Sequence, residues 1–308
     1  MTQSTSAEQL AIEVRELSFT YTQGAEATRL TAEQTLEDID LLLERGSRCL
    51  LIGANGSWLI LERGRDVAGK STLLRILAGK KLTKTKCAKI LGQDVFQHPP
   101  RSVVYLGTEW ANNPVIKSDI GVAHFLDSVG GYRHPERRDM LLNLLDVDLD
   151  WRMHQISDGE RRRVQLCMGL MGQWDVLLLD EVTVDLDVLV RSELLAFLIK
   201  ESEERGATIV YATHIFDGLQ SFPTHICHLQ LGRTPTPLIS WPIKQSSAEV
   251  KHSHSDLLEI ALEWLTEDRD MRRKMEKEKG KKSRGARSKT DTRDMKSFYE
   301  KYDYSAGK

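Results

Sequence analysis

The run Cys49-Leu50-Leu51-Ile52 has the length and apolarity of a strand, and it ends in Gly53-Ala54-Asn55-Gly56. Eleven residues later, Ala68-Gly69-Lys70-Ser71-Thr72 leads into the helical run Leu73-Leu74-Arg75-Ile76-Leu77. With residues 57–67 removed the halves join as GANGAGKST, a G-x-x-x-x-G-K-[ST] match between a strand and a helix. Removing residues 58–68 instead leaves GANGSGKST, an equally good match. A glycine-rich turn of this kind points successive backbone N–H groups inward as a cradle for phosphate oxygens. The helix that opens behind it adds its partial positive charge. In that pattern Lys70 reaches the β- and γ-phosphates and Ser71 places its hydroxyl on Mg²⁺.

Three further stretches carry chemistry of the same kind. Val176-Leu177-Leu178-Leu179 is a continuous apolar strand ending in Asp180-Glu181. Asp180 is placed to hold Mg²⁺ and Glu181 to polarise an attacking water, although a buried strand that merely surfaces in two acids has the same pattern. Ser157-Asp158-Gly159-Glu160 opens a helix carrying Arg161, Arg162 and Arg163. That helix start is a second anion site, or equally a plain capping box of Ser157 with Glu160 above a solvated arginine face. Thr213-His214 closes another buried run, Ala207-Thr208-Ile209-Val210-Tyr211-Ala212. A histidine at a strand's carboxyl end can touch a terminal phosphate and its water, or serve only structure.

Around these stretches the chain reads as an α/β layered protein. Residues 13–21, 36–43, 48–52 and 103–106 have strand patterning, and residues 71–78 form a helix. Residues 110–170, punctuated by Pro114, Pro135 and Gly130-Gly131, carry amphipathic stretches at 122–129 and 136–145 that read as a helical insertion. Residues 192–204 form a helix closed by Gly206 at C′. The strand at 176–179, apolar throughout, suits a central parallel strand covered on both faces.

The four elements together resemble the ATP-binding cassette (ABC) ATPases. The likeness spans residues 12–240: the phosphate loop, SDGERRR, LLLDE and ATH occur in the family's order and at about its spacing. Val184-Asp185-Leu186-Asp187 matches the loop after the catalytic glutamate, and Leu17-Ser18-Phe19-Thr20-Tyr21 the adenine-stacking segment. The resemblance implies an ABC-type P-loop NTPase fold, with a parallel-sheet core, an N-terminal antiparallel β subdomain and the helical insertion. It implies ATP and Mg²⁺ as cofactors. Tyr21 stacks on adenine; Gly53, Asn55, Gly56, Gly69, Lys70, Ser71 and Thr72 hold the phosphates; Ser71 and Asp180 hold the metal. Glu181 handles water, His214 senses the γ-phosphate, and Ser157, Gly159 and Glu160 close the site of a second copy in trans, so a homodimer is expected.

Two positions depart from the family pattern. Asp158 stands where a first glycine follows the signature serine, and Thr108 falls near the position of the glutamine that couples such cassettes to a membrane partner. No run approaches 18 consecutive apolar residues, and the N-terminus lacks the basic-then-apolar order of a signal peptide. YLGTEW, SDGERRRVQL and DEVTVDLD look closest to the fungal cassette ATPases associated with the carbon-catabolite-repression/NOT deadenylase complex. That subfamily implies a deadenylase/transcription-regulatory complex as partner, and the expected location is the cytoplasm with the nucleus as a second site. The competing readings are a non-hydrolysing adaptor or pseudo-ATPase scaffold, and the detached ATPase subunit of a membrane transporter.

The overall charge of −2 hides an asymmetry, because residues 251–308 carry a net +4. Residues 241–308 read as an extension, with a helix over about 256–268 capped by Ser255 and a basic disordered tail from 270. Residues 281–287, KKSRGAR, read as a solvated tail, a nuclear-import patch or an RNA contact. Cys49, Cys87, Cys167 and Cys227 form no CxxC pair and read as reduced thiols of an intracellular protein.

The segment 57–67 remains. Eleven residues do not fit inside a nest of successive amides; they loop outward only if both ends stay together. A gene-model error, a tolerated insertion and a degenerate pseudo-ATPase all account for it, although Lys70, Asp180, Glu181 and His214 argue against degeneracy.

Overall fold

The computed structural model describes residues 10–20, 34–54, 69–83, 87–243 and 256–278. Tyr21, Asn55, Gly56, Ser255, the segment 57–67 and the basic patch 281–287 lie outside the described residues. Residues 1–268 form one compact unit and residues 269–308 a second.

A four-stranded antiparallel sheet in the order β2-β1-β4-β5 is built from β1 (Leu10–Thr20), β2 (Gln34–Glu44), β4 (Ala88–Ile90) and β5 (Gln93–Asp94). This is the N-terminal antiparallel subdomain. The second sheet has the order β10-β9-β3-β8-β7-β6. Its strands are β3 (Arg48–Ile52), β6 (Val103–Leu106), β7 (Val176–Asp180), β8 (Thr208–Ala212), β9 (His225–His228) and β10 (Ile239–Ser240). Five of the six are parallel; only β10 runs antiparallel, on the edge.

The uniformly apolar strands are explained by their two covered faces. Leu50, Ile52, Leu177, Leu179, Ile209, Tyr211 and Ile226 point to one core. Cys49, Leu51, Val176, Leu178, Val210, Ala212 and Cys227 point to the other. The first core is closed by α2 (Val122–Ser128), α3 (Pro135–Leu144), α4 (Asp158–Leu170) and α5 (Val188–Arg205). The second is closed by α1 (Gly69–Leu77) and the antiparallel sheet. Each leucine buried in this way contributes about 1.5–3 kcal/mol.

Helix ends follow local chemistry. The Asp187 side chain accepts from Val190 N–H at 3.0 Å and caps α5, which Gly206 closes at φ 66°. Glu201 on α5, 7% exposed, accepts from Arg137 of α3 through both oxygens at 3.0 and 2.7 Å and pairs also with Arg205. The helical insertion is thereby fastened to the sheet layer.

The last helix, α6, spans Leu257–Glu278, so helix runs ten residues past the expected end at 268 and into the stretch expected to be disordered from 270. The first unit likewise continues to Asp268 and is not divided at 241. The polarity of residues 269–278 masks a helix because few apolar side chains mark its period. Strands β9 and β10 escape local reading as well, since His225-Ile226-Cys227-His228 is short and His-flanked.

Candidate functional site

The parallel strands β3, β8, β7 and β6 are neighbours, so their carboxyl ends form one edge, the usual ligand-binding edge of such sheets. Gly53 follows β3, Asp180 ends β7, Glu181 comes next, and Thr213-His214 follow β8. Helix α1 starts at Gly69 over the same edge.

The two limbs of the interrupted loop are held together. Lys70 Nζ donates to Gly53 O at 2.5 Å. Gly53 and Gly69 both pack on Leu229, just past β9: a Cβ at Gly53 would lie 2.3 Å from Leu229 O, and one at Gly69 would lie 3.1 Å from Leu229 Cδ2. Only glycine fits at position 53, because the opposing atom is backbone and Leu229 N–H is itself bonded to Ile52 O at 2.8 Å. Gly53 and Gly69, the nearest described glycines on either side of residues 57–67, thus share one packing partner. Thr72, expected among the phosphate-binding residues, is fully buried in α1.

Ser71 Oγ donates to Asp180 Oδ1 at 2.9 Å, and Tyr105 OH donates to Asp180 Oδ2 at 3.1 Å. Asp180 is 2% exposed. Burial pushes its carboxyl up, against the hydrogen bonds from Ser71 and Tyr105 and the charges of Arg75 and Lys70. Burial equally raises the Tyr105 phenol, so it stays protonated and donates. The phenol also meets Arg75, which is paired with Glu109 at 2.8 Å. Tyr105 was missed as a site residue; its place near the carboxyl end of a parallel edge strand, β6, is the signal available beforehand.

Glu181 has φ 55°, a left-handed conformation costing a non-glycine residue about 1–3 kcal/mol. Its N–H donates to Ala212 O at 2.9 Å, which holds that conformation. Its Oε2 lies 2.6 Å from His214 Nδ1. Burial raises the Glu181 carboxyl, opposed by His214 and Lys70. Lys70, 2% exposed, is pulled down by burial, with the Glu181, Asp180 and Asp268 carboxylates acting the other way. The edge therefore gathers more buried carboxylate than cation.

That surplus and the Ser71–Asp180 oxygen pair fit Mg²⁺, which takes one or two protein oxygens and completes its shell with phosphate oxygens and water. Among the described residues there is no group of three or more His, Cys, Asp or Glu that would form a metal cage by itself.

At the start of α4, Ser157 Oγ accepts from Glu160 N–H at 3.2 Å, while Glu160 Oε2 accepts from Ser157 N–H at 2.7 Å. The capping box is present, and the exposed serine and its neighbours still face outward. Gly159 is required by its surroundings, since a Cβ there would lie 2.8 Å from Asp185 O. The three arginines do not form a solvated face. Arg162 is 7% exposed, donates to Gly107 O at 3.3 Å and sits 3.6 Å from Asp185; Arg163 pairs with Asp146 and Asp187. The helix is thus tied to the loop that follows Glu181.

A parallel α/β core with this loop, strand-end carboxylates and helix start defines the cassette class of P-loop NTPases. The chain matches the ABC transporter family over residues 36–184. It is 40% identical to ABC transporter I family member 20 of Arabidopsis thaliana over 87% of this chain and 80% of that one. It is 42% identical to CCR4-associated factor 16 of Saccharomyces cerevisiae over 73% of this chain and 77% of that one. The chain belongs to the ATP-binding cassette family. Among solved structures, a dimeric bacterial ABC transporter cassette superposes with TM-score 0.59 at 18% identity, over 73% of this chain and 97% of the other. No helix among the described residues is long and apolar enough to cross a membrane.

Proposed function

We propose that this chain binds ATP with Mg²⁺ and hydrolyses it to ADP and phosphate. The observation that carries the reading is the convergence of Lys70 on Gly53, Ser71 on Asp180 and His214 on Glu181 along one sheet edge. Lys70, Gly53, Gly69 and Ser71 hold the phosphates, with Asn55, Gly56 and Thr72 completing the loop. Tyr21 stacks on the adenine. Ser71 and Asp180 would hold Mg²⁺, which would supply charge neutralisation at the phosphates. Glu181 accepts a proton from the attacking water, and His214 keeps the carboxylate aimed and contacts the terminal phosphate.

The active unit in this reading is a homodimer in which Ser157, Gly159 and Glu160 of one copy close the nucleotide site of the other. The exposed helix start supports it, as do the apolar Val188 and Leu189, 87% and 68% exposed, beside the loop that Arg163 braces. The likeness to CCR4-associated factor 16 supports a role in a gene-expression complex, acting in the cytoplasm with the basic tail available for nuclear import or nucleic acid. Phosphate release from ATP, measured with gel filtration in the presence and absence of Mg-ATP, tests both parts. Turnover with an ATP-dependent shift to twice the mass is expected; neither would leave the scaffold reading, which the interrupted loop favours.

A further inference from the structure

Asp268 is a carboxylate that the reaction does not use, yet it is 1% exposed and one of its bonds reaches the phosphate loop. It stands on α6. Its Oδ1 lies 3.0 Å from His228 Nε2 and accepts from Gln230 Nε2 at 3.0 Å. Its Oδ2 accepts from Ala54 N–H at 3.2 Å. One turn earlier on α6, Trp264 stacks flat on the His228 ring, centroids 4.6 Å apart and planes 4° apart. A carboxylate this deep is costly unless donors surround it. Here they come from β9, the turn after it, and the loop after β3.

The Ala54 N–H belongs to the same peptide unit as the Gly53 carbonyl, and that carbonyl accepts from Lys70 Nζ at 2.5 Å. A trans peptide is rigid and directs its C=O and N–H to opposite sides. Fixing the N–H therefore fixes the carbonyl, and with it the resting place of the lysine. We propose that Asp268 is a positioning residue for nucleotide binding: from the C-terminal helix it sets the Gly53–Ala54 peptide, and through it Lys70. The clause about nucleotide rests on the ATP reading above; the clause about the peptide does not.

The test uses the full chain, with Asp268→Ala, Asp268→Leu and Asp268→Asn. Leucine fills similar space without an acceptor. Asparagine keeps one, since its oxygen can take the Ala54 N–H while its amide donates to the other His228 tautomer and, once the Gln230 amide turns over, to the Gln230 oxygen. Hydrogen exchange of the Ala54 amide is read without nucleotide, and a fluorescent ATP analogue is then titrated. Loss of one buried acceptor predicts faster exchange at Ala54, with β3 still protected, and about tenfold weaker binding in Asp268→Ala and Asp268→Leu. Asp268→Asn is expected to stay near the parent in both. If Ala54 exchanges at the parent rate in every variant that folds, the proposal is overturned. Should the parent itself bind no analogue, the ATP reading falls while the exchange result still decides the peptide's role.

Discussion

Glu181 and His214 meet at 2.6 Å between Oε2 and Nδ1, although each follows a different strand of the central sheet. The contact exists because β7 and β8 are parallel neighbours, with Asp180 opposite Ala212 in register. It secures a glutamate whose backbone is already confined to φ 55°. Replacement by glutamine keeps the shape and removes the base. Glu181→Gln is expected to retain ATP binding and to lose about 10²–10⁴ in turnover. Undiminished phosphate release in a purified variant would refute the role given to Glu181.

The convergence of Gly53 and Lys70 across residues 57–67 makes the segment itself testable. Deleting it joins GANGAGKST, whose Gly53 carbonyl already accepts from the Lys70 side chain. The deletion variant is expected to bind ATP at least tenfold more tightly than the full chain, roughly the effect of restoring one or two buried phosphate contacts. Equal affinity in isothermal titration would mean that the segment is tolerated. Sequencing the transcript across codons 50–75 shows independently whether it is encoded.

Gly53 tolerates no side chain, because its Cβ would sit 2.3 Å from a backbone oxygen that β9 holds in place. Gly53→Ala is expected to displace the loop, lowering stability by about 1–3 kcal/mol, the usual range for overpacking. ATP affinity falls with it. Chemical denaturation and nucleotide titration measure the two effects separately, and an alanine variant matching the parent in both would be inconsistent with the packing of Leu229.

Glu201 links stability to pH. Burial raises its carboxyl, but the hydrogen bonds and charges of Arg137 and Arg205 outweigh this and hold it below its ordinary 4.5. A carboxyl depressed on folding stabilises above its unfolded value, and that stabilisation fades as pH falls through the folded value. Glu201→Gln is therefore expected to cost about 1.5–3 kcal/mol at pH 7, the range for a hydrogen bond to a charged group. The difference narrows below pH 4.5 in urea melts followed by circular dichroism. A pH-independent gap would count against the ion pair.

Much of the fold was legible because its signals are local. The run Val176-Leu177-Leu178-Leu179 is apolar at every position since both of its faces are covered, and the strand it predicts ends where two carboxylates begin. Gly206 marks the end of α5 as expected. Ser157 and Glu160 predict a capping box three residues apart, and the box is there. In each case the information lies within one turn or one strand.

Other features depend on which distant segments become neighbours. Arg162 and Arg163 read equally as a solvated face until Asp185 and Asp187 are seen beside them. Tyr105 reaches Asp180 only because β6 pairs with β7, and Asp268 reaches Ala54 across 214 residues only because α6 packs where β9 and β3 end. The linear motifs were enough to name a phosphate loop, a pair of acids and a histidine. That a loop broken by eleven residues still has its glycine and lysine in contact was a matter for the sheet. The strand order β9-β3-β8-β7-β6 is set by the burial of whole faces, and no short stretch of residues carries it.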